Sequence, residues 1–236
     1  MTQSTTKINR NLTVHVKTAK GRKVSSTRWL QRQLNDPYVQ LAKLEGYRSR
    51  AAYKILEIHD KYKIFSKGQV VVDLGAAPGG WSQVAAAKIN ADKPWGGKVL
   101  AIDLLSMNPI LGVTALQQNF LDLNNEELLS WLNGKKIDVV LSDMAASASG
   151  HTLTDHLKIM QLCEDAFYFA QTHLKEGGSF IAKILRGGTE NELLNILKQH
   201  FRIVKHFKPK SSRSDSAEMY VVCSGFRIKE TQNQNE

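Results

Sequence analysis

A glycine-rich loop after the first strongly apolar run of the chain is the clearest candidate for ligand binding. It reads Asp73-Leu-Gly-Ala-Ala-Pro-Gly-Gly-Trp-Ser-Gln83. In doubly wound sheets, ligands bind beyond the carboxyl ends of the strands, which is where such a loop would lie. Gly75 can adopt backbone angles that are closed to other residues, and Gly79 and Gly80 would let a ligand approach the backbone closely. The spacing therefore predicts a ligand site at this loop.

The loop departs from the GxGxxG pattern of dinucleotide-binding proteins. Ala77 and Pro78 stand where that pattern needs its second glycine, and Pro78 has no backbone N–H to offer a pyrophosphate. The loop favours a ligand without a pyrophosphate, such as S-adenosylmethionine, whose positive charges Asp73 would suit. Asp103 ends the next predicted strand, where an acid can accept both hydroxyls of a nucleoside ribose or simply cap the strand. Together these features predict an adenosine-type cofactor.

Four further charged residues differ in how strongly the surrounding sequence indicates that they have a function. Asp143 follows an apolar run, and Lys183 lies inside the apolar segment Phe180-Ile-Ala-Lys-Ile-Leu185. A lysine within a buried strand costs free energy unless it is paired, functional, or able to reach solvent at the end of the sheet. Lys54 in an early helix and Glu218 after a basic loop carry no such signal, and each by itself would be interpreted as a surface charge.

The apolar pattern predicts an α/β protein. Unbroken apolar runs such as Val70-Val-Val72 suit strands of a parallel sheet that is buried on both faces, and helical segments alternate with them. The predicted strands are 70–73, 98–103, 113–117, 137–142, 179–185, 202–207 and 218–226, and the predicted helices are 27–34, 36–45, 49–63, 79–90, 125–133, 154–174 and 190–199. The last two strands have no helix between them, so the last strand can pair antiparallel in a mostly parallel, doubly wound sheet.

Charge is distributed unevenly along the 236 residues. The net charge is +10, and 8 of the 32 basic residues lie in residues 1–35, where no acid precedes Asp36. Residues 1–25 are predicted to be a disordered basic arm, which could be a handle for phosphate backbones, a solubilising tail or an organelle transit peptide. Residues 26–227 are predicted to form a single domain, followed by a polar tail over 228–236.

The chain shows no membrane or secretion signal. No apolar run reaches the roughly 18 residues that a membrane span requires, and the N-terminus lacks the apolar segment of a signal peptide. Cys163 and Cys223 lie in apolar surroundings and outside any CxxC pair, which predicts buried thiols rather than metal ligands or a disulfide. These features predict a cytoplasmic protein that binds neither a membrane nor a metal.

Short segments in a fixed order connect these candidate residues. They are Ser26-Thr-Arg-Trp-Leu-Gln31, Asp36-Pro-Tyr-Val-Gln40, Tyr47-Arg-Ser-Arg-Ala51 with Lys54, the stretch from Val71 to Gln83, Asp103-Leu-Leu105, Ser142-Asp-Met-Ala145, Gly177-Gly-Ser-Phe180 with Lys183, and Lys210-Ser-Ser-Arg213 with Glu218. Over about residues 25–227 the chain resembles the FtsJ/RrmJ family of RNA ribose 2′-O-methyltransferases, in particular its branch for bacterial 23S ribosomal RNA. The resemblance implies a Rossmann-like class I fold that uses S-adenosylmethionine, with a mostly parallel seven-stranded sheet and an antiparallel last strand.

The resemblance implies a catalytic tetrad of Lys54, Asp143, Lys183 and Glu218. Lys183 would steer or deprotonate the ribose hydroxyl, and Asp143 would orient Lys183 and face the donor methyl group. Lys54 and Glu218 would balance the charge and position the ribose. Whether Lys183 is a general base or only an orienting group stays open at this point.

The resemblance also implies cofactor contacts at Gly79, Trp81, Asp103 and Asp143. The loop itself predicts further cofactor contacts at Asp73, Gly75 and Gly80. Asn119 stands where the family has an acid that meets the adenine amino group, and its carbonyl oxygen can still accept a hydrogen bond. RNA contacts are expected from the basic residues that flank the tetrad, namely Arg48, Arg50, Lys205, Lys208, Lys210 and Arg213.

The implied activity is methylation of a uridine in the A-loop of 23S ribosomal RNA, by a monomer that acts on the 50S subunit and supports its late assembly. Free RNA and the assembled subunit stay open as substrates. A relative that methylates transfer RNA or messenger RNA caps is a close alternative, and Arg28-Trp-Leu-Gln31 favours the ribosomal branch. A non-catalytic RNA-binding assembly factor is disfavoured by the complete tetrad, and a nucleotide-dependent oxidoreductase is disfavoured by Pro78.

Overall fold

The computed structural model describes residue 16 and residues 24–146, 150–186 and 190–228. Its strands are β1 (Val70–Leu74), β2 (Lys98–Asp103), β3 (Val113–Gln117), β4 (Ile137–Ser142), β5 (Leu174–Leu185), β6 (Phe201–Phe207) and β7 (Glu218–Phe226). They form one sheet in the order β3-β2-β1-β4-β5-β7-β6. Only β7 runs antiparallel to its neighbours β5 and β6, which confirms the predicted fold class.

Helices cover both faces of the sheet. They are α1 (Val24–Leu34), α2 (Pro37–Glu45), α3 (Ala52–Tyr62), α4 (Gly80–Ile89), α5 (Asn125–Leu132), α6 (Thr152–His173) and α7 (Glu190–His200). Apolar residues of α3 and α4 share one core cluster with the sheet, whereas those of α5, α6 and α7 share the cluster on the opposite face. The described part of the chain has no helix whose length and apolarity would suit a membrane span.

The sequence of β1 explains why it lies at the centre of the sheet. Val70 and Val72 pack into the cluster of α5, α6 and α7, while Val71 packs into the cluster of α3 and α4. Alternate side chains of a strand point to opposite faces, so a run of three valines is apolar on both. Burial between two helical layers is therefore favourable for this strand.

Strand register brings the predicted site residues to one edge of the sheet. The carboxyl ends of β1, β2 and β4 lie side by side, with Leu74 paired to Ile102 and to Ser142. Because β7 runs in the opposite direction, its first residues lie at that same edge. Lys183 of β5 is paired with Tyr220, and Leu185 is paired with Glu218.

Three predicted starts were wrong by three or more residues, and the other bounds differ by two residues or fewer. α3 begins at Ala52 rather than 49. β5 begins at Leu174 rather than 179, because Leu174 pairs with Ile137 and a register shift with Gly177 at φ +78° accommodates the Gly-Gly segment within the strand. α1 begins at Val24 rather than 27, two residues inside the predicted arm. The rest of the arm, apart from residue 16, and the tail after residue 228 lie outside the described residues. Cys163 and Cys223 are buried free thiols, as predicted.

Candidate active site

The four charged residues of the predicted tetrad come together at the carboxyl edge of the sheet. Lys183 Nζ lies 2.9 Å from Asp143 Oδ1, and Lys54 Nζ lies 2.8 Å from Glu218 Oε2. Lys54 Nζ also lies 3.6 Å from Asp143 Oδ2, so the two pairs form one cluster. The side chains are between 9% and 16% exposed, which leaves the cluster largely desolvated. Two ammonium groups and two carboxylates balance in charge, as burial requires.

Tyr220 lies at the centre of this cluster and was missed by the sequence reasoning. Its hydroxyl accepts a hydrogen bond from Lys54 Nζ at 2.9 Å and donates one to Asp143 Oδ1 at 2.8 Å. The signal was present in the sequence, because residues two apart on a strand share a face and Tyr220 follows Glu218 by two. Burial, with the negative charges of Asp143 and Glu218, raises the pKa of Tyr220 well above its ordinary value, so the phenol stays protonated.

Lys183 is surrounded by oxygen acceptors. Besides the Asp143 carboxylate, its Nζ donates to the backbone carbonyl oxygens of Asp143 at 2.7 Å and Met144 at 3.2 Å. An ammonium has three N–H bonds, so these three acceptors satisfy the charged form. Burial by itself would raise the pKa of Asp143, but the charges of Lys183 and Lys54 and the hydrogen bonds from Lys183 and Tyr220 outweigh it and lower that pKa.

The glycine-rich loop joins β1 to α4 next to this cluster. Gly75 has φ +71° and Gly79 has φ +104°, values that other residues rarely adopt. A Cβ on Gly79 would also lie only 2.7 Å from Ile110 Cδ1, and one on Gly80 would lie 2.5 Å from Ser49 Oγ. At Gly75, the space that a Cβ would need is occupied by Met144. A side chain at any of these three glycines would therefore displace a neighbouring residue.

Three buried polar atoms beside the loop have no hydrogen-bond partner among the described residues. They are Asp73 Oδ1, Gln118 Nε2 and Ser49 Oγ. Asp73 Oδ2 accepts a hydrogen bond from Ser82 Oγ at 2.6 Å, but burial and the nearby charges of Asp143 and Asp103 still raise the pKa of Asp73 to about 7. An unpaired acceptor and an unpaired donor fit a polar, partly cationic ligand such as S-adenosylmethionine.

Asp103 and Asn119 hold the backbone beside this loop. Asp103 Oδ2 accepts from the N–H of Ala77 and Oδ1 from the N–H of Leu105, both at 2.8 Å, so its carboxylate is fixed at the end of β2. Each carboxylate oxygen has a further lone pair for a ligand hydroxyl. Asn119 Oδ1 accepts from the N–H of Leu121 at 3.2 Å and caps the short 3-10 helix Phe120–Asp122.

Trp81 is buried between α4 and the charged cluster. Its indole N–H donates to the Ala51 carbonyl oxygen at 2.9 Å, and its ring centroid lies 5.5 Å from that of Tyr220. The side chain therefore links the glycine-rich loop to the charged cluster.

The predicted RNA-binding arginines have internal partners. Arg48 donates to the carbonyl oxygens of Asn108 and Pro109 at 2.6 Å each and of Pro78 at 3.3 Å, so it ties the cofactor loop to the segment after β2. Arg50 pairs with the buried Asp36 at 2.5 Å and donates to the Ser211 carbonyl oxygen. Arg213 lies 3.6 Å from the same Asp36 carboxylate. Asp36 thus connects the start of α2 to two segments beside the cluster.

The loop between β6 and β7 is fastened to α3. Glu57 accepts from the backbone N–H groups of Lys210 and Ser211 at 2.6 and 2.8 Å, and Ser212 Oγ donates to Glu218 Oε1 at 2.8 Å. Lys208 Nζ bonds the carbonyl oxygens of Ser214 and Ser216 within the loop. The side chains of Lys205 and Lys210 are exposed, on β6 and on the loop.

A cationic cavity of about 410 Å³ opens onto the cluster, and we call it the entrance pocket. Lys54 and Glu218 form its inner wall. Its lining has four basic residues, Arg32, Arg50, Lys54 and Arg213, and two acidic ones, Asp215 and Glu218. A polyanion such as RNA would therefore be attracted to the entrance of the cluster.

Comparison with known proteins gives consistent similarities. Residues 47–226 match the model of the FtsJ-like methyltransferase family. A Parvibaculum lavamentivorans protein named ribosomal RNA large subunit methyltransferase E is 57% identical over 224 residues, covering 92% of this chain and 88% of that protein. A Rickettsia akari protein of the same name is 58% identical over 214 residues, covering 90% and 94%. A solved structure from Plasmodium falciparum, described provisionally as a ribosomal RNA methyltransferase, has a TM-score of 0.67 at 35% identity, covering 76% of this chain and 98% of that one.

Proposed function

The chain belongs to the FtsJ-like methyltransferase family, and from that premise we propose that it methylates the ribose 2′-hydroxyl of a uridine in the A-loop of 23S ribosomal RNA. The charged cluster of Lys54, Asp143, Lys183 and Glu218 carries the proposal. A buried set of ammonium and carboxylate groups suits the alignment of a neutral hydroxyl and the removal of its proton. The names of the similar bacterial proteins support large-subunit ribosomal RNA as the substrate.

The cofactor of this proposal is S-adenosylmethionine. Asp73, Gly75, Gly79, Gly80 and Asp103 would hold it at the loop, with Asn119 beside the base, and Asp143 would face its methyl group. When bound, it supplies a methyl group that a positively charged sulfur activates for transfer. The unpaired oxygen of Asp73 supports this assignment, because a buried carboxylate gains most from a cationic partner.

Lys183 acts in this proposal as an orienting cation. Its three oxygen acceptors match the three N–H bonds of an ammonium, so the resting arrangement leaves no lone pair to take a proton. The longest of these bonds, to Met144 O, is the one that the acceptor hydroxyl would most readily replace. Lys183 would then donate to the hydroxyl oxygen and direct its remaining lone pair at the donor methyl carbon. The new O–C bond would replace the bond from that carbon to sulfur, and the hydroxyl proton would pass to solvent water at the entrance pocket.

The remaining cluster residues hold Lys183 and the ribose in place. Asp143 fixes Lys183, and the neutral Tyr220 hydroxyl transmits the position of Lys54 to Asp143. Glu218 orients Lys54 and receives its own support from Ser212. We propose that the protein acts as a cytoplasmic monomer on the 50S subunit during its late assembly.

The test is methyl transfer from labelled S-adenosylmethionine to 50S subunits, free 23S ribosomal RNA and total transfer RNA. We expect label on large-subunit RNA and a loss of about 100-fold or more in rate for Lys183→Ala. Lys135→Ala, at an exposed lysine before β4, is the matched control and should retain the wild-type rate.

Alkaline digestion identifies the acceptor atom, because a 2′-O-methyl group blocks cleavage of the adjoining phosphodiester. Label in alkali-resistant dinucleotides supports the proposal. Label in mononucleotides would exclude the ribose 2′-oxygen, and label on transfer RNA alone would exclude the ribosomal substrate. Equal rates for wild type and Lys183→Ala would remove the role given to Lys183.

A further inference from the structure

Helix α1 presents an exposed aromatic side chain close to the entrance pocket. Trp29 is 57% exposed, whereas most large apolar side chains of the described chain are buried in the two core clusters. An exposed indole offers a large flat apolar surface that a partner can cover. None of the roles assigned above involves α1 beyond the lining of the pocket.

The helix geometry places Trp29 on the pocket side of α1. Arg32 and Gln33 line the entrance pocket, and they follow Trp29 by three and four residues. Residues at these spacings share one face of an α-helix. Trp29 therefore extends the wall of the pocket by one helical turn toward the start of α1.

The surface that results combines an indole with several cations. Arg28 and Arg32 flank Trp29 on α1, and Arg50 and Arg213, which both pair with Asp36, line the pocket beyond. Aromatic faces beside arginines bind unpaired nucleotides, since the base stacks on the ring and the phosphate meets the cations.

We infer that α1 is a nucleotide-binding wall, on which an unpaired base next to the methylated nucleotide stacks on Trp29 while Arg32 contacts its phosphate. The inference rests on the proposed function for the nature of the substrate. It adds a requirement that the methyl-transfer cluster does not impose, namely that the RNA beside the target nucleotide is unpaired. A paired base would keep its faces stacked within the helix and could not cover the indole.

The chain contains a matched control for Trp29. Trp95 is 64% exposed and lies in the turn before β2, at the opposite edge of the sheet from the cluster. The variants are Trp29→Ala, Trp29→Phe, Arg32→Gln and Trp95→Ala. Because both indoles are more than half exposed, all four variants should melt at the wild-type temperature.

The first measurement is binding of a single-stranded RNA of about 12 nucleotides and mixed sequence, beside the same RNA paired with its complement. We expect Trp29→Ala to weaken single-strand binding about tenfold, Trp29→Phe to weaken it less, and Trp95→Ala to leave it unchanged. Duplex binding should be the same for all three. Arg32→Gln should weaken binding and reduce its salt dependence by about one counterion.

The second measurement is tryptophan fluorescence, which needs no methyl transfer. Stacking on Trp29 predicts that single-stranded RNA quenches the emission of the wild type, and that Trp29→Phe removes this quenching while a Trp95→Phe protein retains it. Quenching that survives in Trp29→Phe would overturn the inference, as would single-strand binding of Trp29→Ala equal to that of the wild type.

Kinetics separate this inference from the proposed function. If the wild type transfers no methyl group to RNA, the proposed function fails while the binding and fluorescence results still decide the role of Trp29. If the wild type is active, Trp29→Ala should raise the KM for RNA with an unchanged dissociation constant for S-adenosylmethionine. An active enzyme whose KM does not respond to Trp29→Ala refutes the stacking wall alone.

Discussion

At the scale of single residues, Tyr220 explains how two ion pairs act as one unit. Lys54 reaches only one carboxylate at close range, and its distance to Asp143 is 3.6 Å. The phenol fills that gap, since it accepts from Lys54 and donates to Asp143. A phenol whose pKa is raised by burial and by two carboxylates holds its proton and keeps this direction of hydrogen bonding.

Asp73 makes cofactor binding depend on pH. Its pKa in the folded protein is raised to about 7 by burial first and by neighbouring acids second, above its value of roughly 3.9 in an unfolded chain. The folded state therefore holds a proton that the unfolded state has lost between about pH 4 and 7. Raising the pH through that window forces the buried Asp73 carboxyl to ionise in the folded state. In the free protein, the contribution of Asp73 to the free energy of unfolding therefore declines across the window.

A cationic ligand reverses the preference, because it favours ionised Asp73. The dissociation constant for S-adenosylmethionine should be about tenfold higher at pH 6 than at pH 8, and Asp73→Asn should flatten this difference. Isothermal titration across that range measures it. Asp92→Asn, at an exposed acid, should keep the wild-type slope, and a wild-type profile as flat as that of Asp73→Asn would contradict the assignment.

At the scale of elements, α3 carries both a residue of the charged cluster and the anchor of the loop between β6 and β7. Lys54 enters the cluster, and Glu57, three residues later, binds two backbone N–H groups of the loop before β7. The same loop supplies Ser212 to Glu218. One helix therefore fixes the position of Lys54 and, through the loop, the position of its carboxylate partner.

Glu57→Gln should reveal this coupling. The amide can accept only one of the two backbone hydrogen bonds, so a loss of about 1–3 kcal/mol in the free energy of unfolding is expected. We expect kcat to fall about tenfold as Glu218 loses its alignment. The affinity for S-adenosylmethionine should stay unchanged, because the glycine-rich loop is a different segment from the loop that Glu57 anchors.

The matched control is Glu176→Gln. This acid is 64% exposed, and its ion pair with Arg202 is long, at 3.9 Å. It should change neither stability nor kcat. A fall in stability for Glu57→Gln without any fall in kcat would separate the loop anchor from catalysis and contradict the coupling.

The sequence predicts elements better than it predicts the contacts between them. Strands β2, β3, β4 and β7 were predicted at their observed bounds, because a polar or charged residue ends or follows each of their apolar runs. Asp36 and Glu57 had no predicted role, since each acts on partners far along the chain. The internal partners of Arg48 and Arg50 illustrate the same limit, because the sequence does not reveal that a basic residue binds backbone carbonyls or a buried acid.

The site of Tyr220 was within reach of sequence reasoning. Its alternation with Glu218 on a predicted strand places both on one face, and its pairing with Lys183 follows once β5 and β7 are adjacent. The order of the strands in the sheet does not follow from the sequence, because the order of strands along the chain does not determine which strands are neighbours. The resemblance to the family supplied that information for the tetrad, and Tyr220 was not among the residues carried over.

At the scale of the whole molecule, positive charge is concentrated in the lining of the entrance pocket and in the first residues of the sequence. The entrance pocket is lined by four basic and two acidic residues. Residues 1–23 contain six basic residues and no acid. If the arm is a handle for phosphates rather than a solubilising tail or a transit peptide, these residues release counterions when RNA binds.

Salt dependence distinguishes these roles in the full-length protein. Changing Lys7, Lys17, Lys20 and Lys23 together to glutamine should reduce the slope of log binding constant against log salt by up to roughly 3, at about 0.7 for each single-strand phosphate. The control changes four exposed lysines that lie before strands at the opposite edge of the sheet, Lys67, Lys135, Lys136 and Lys198, and removes the same charge from the molecule. If net charge alone attracts RNA, the two variants will lose the same slope; if the arm binds phosphates, only the first will lose it.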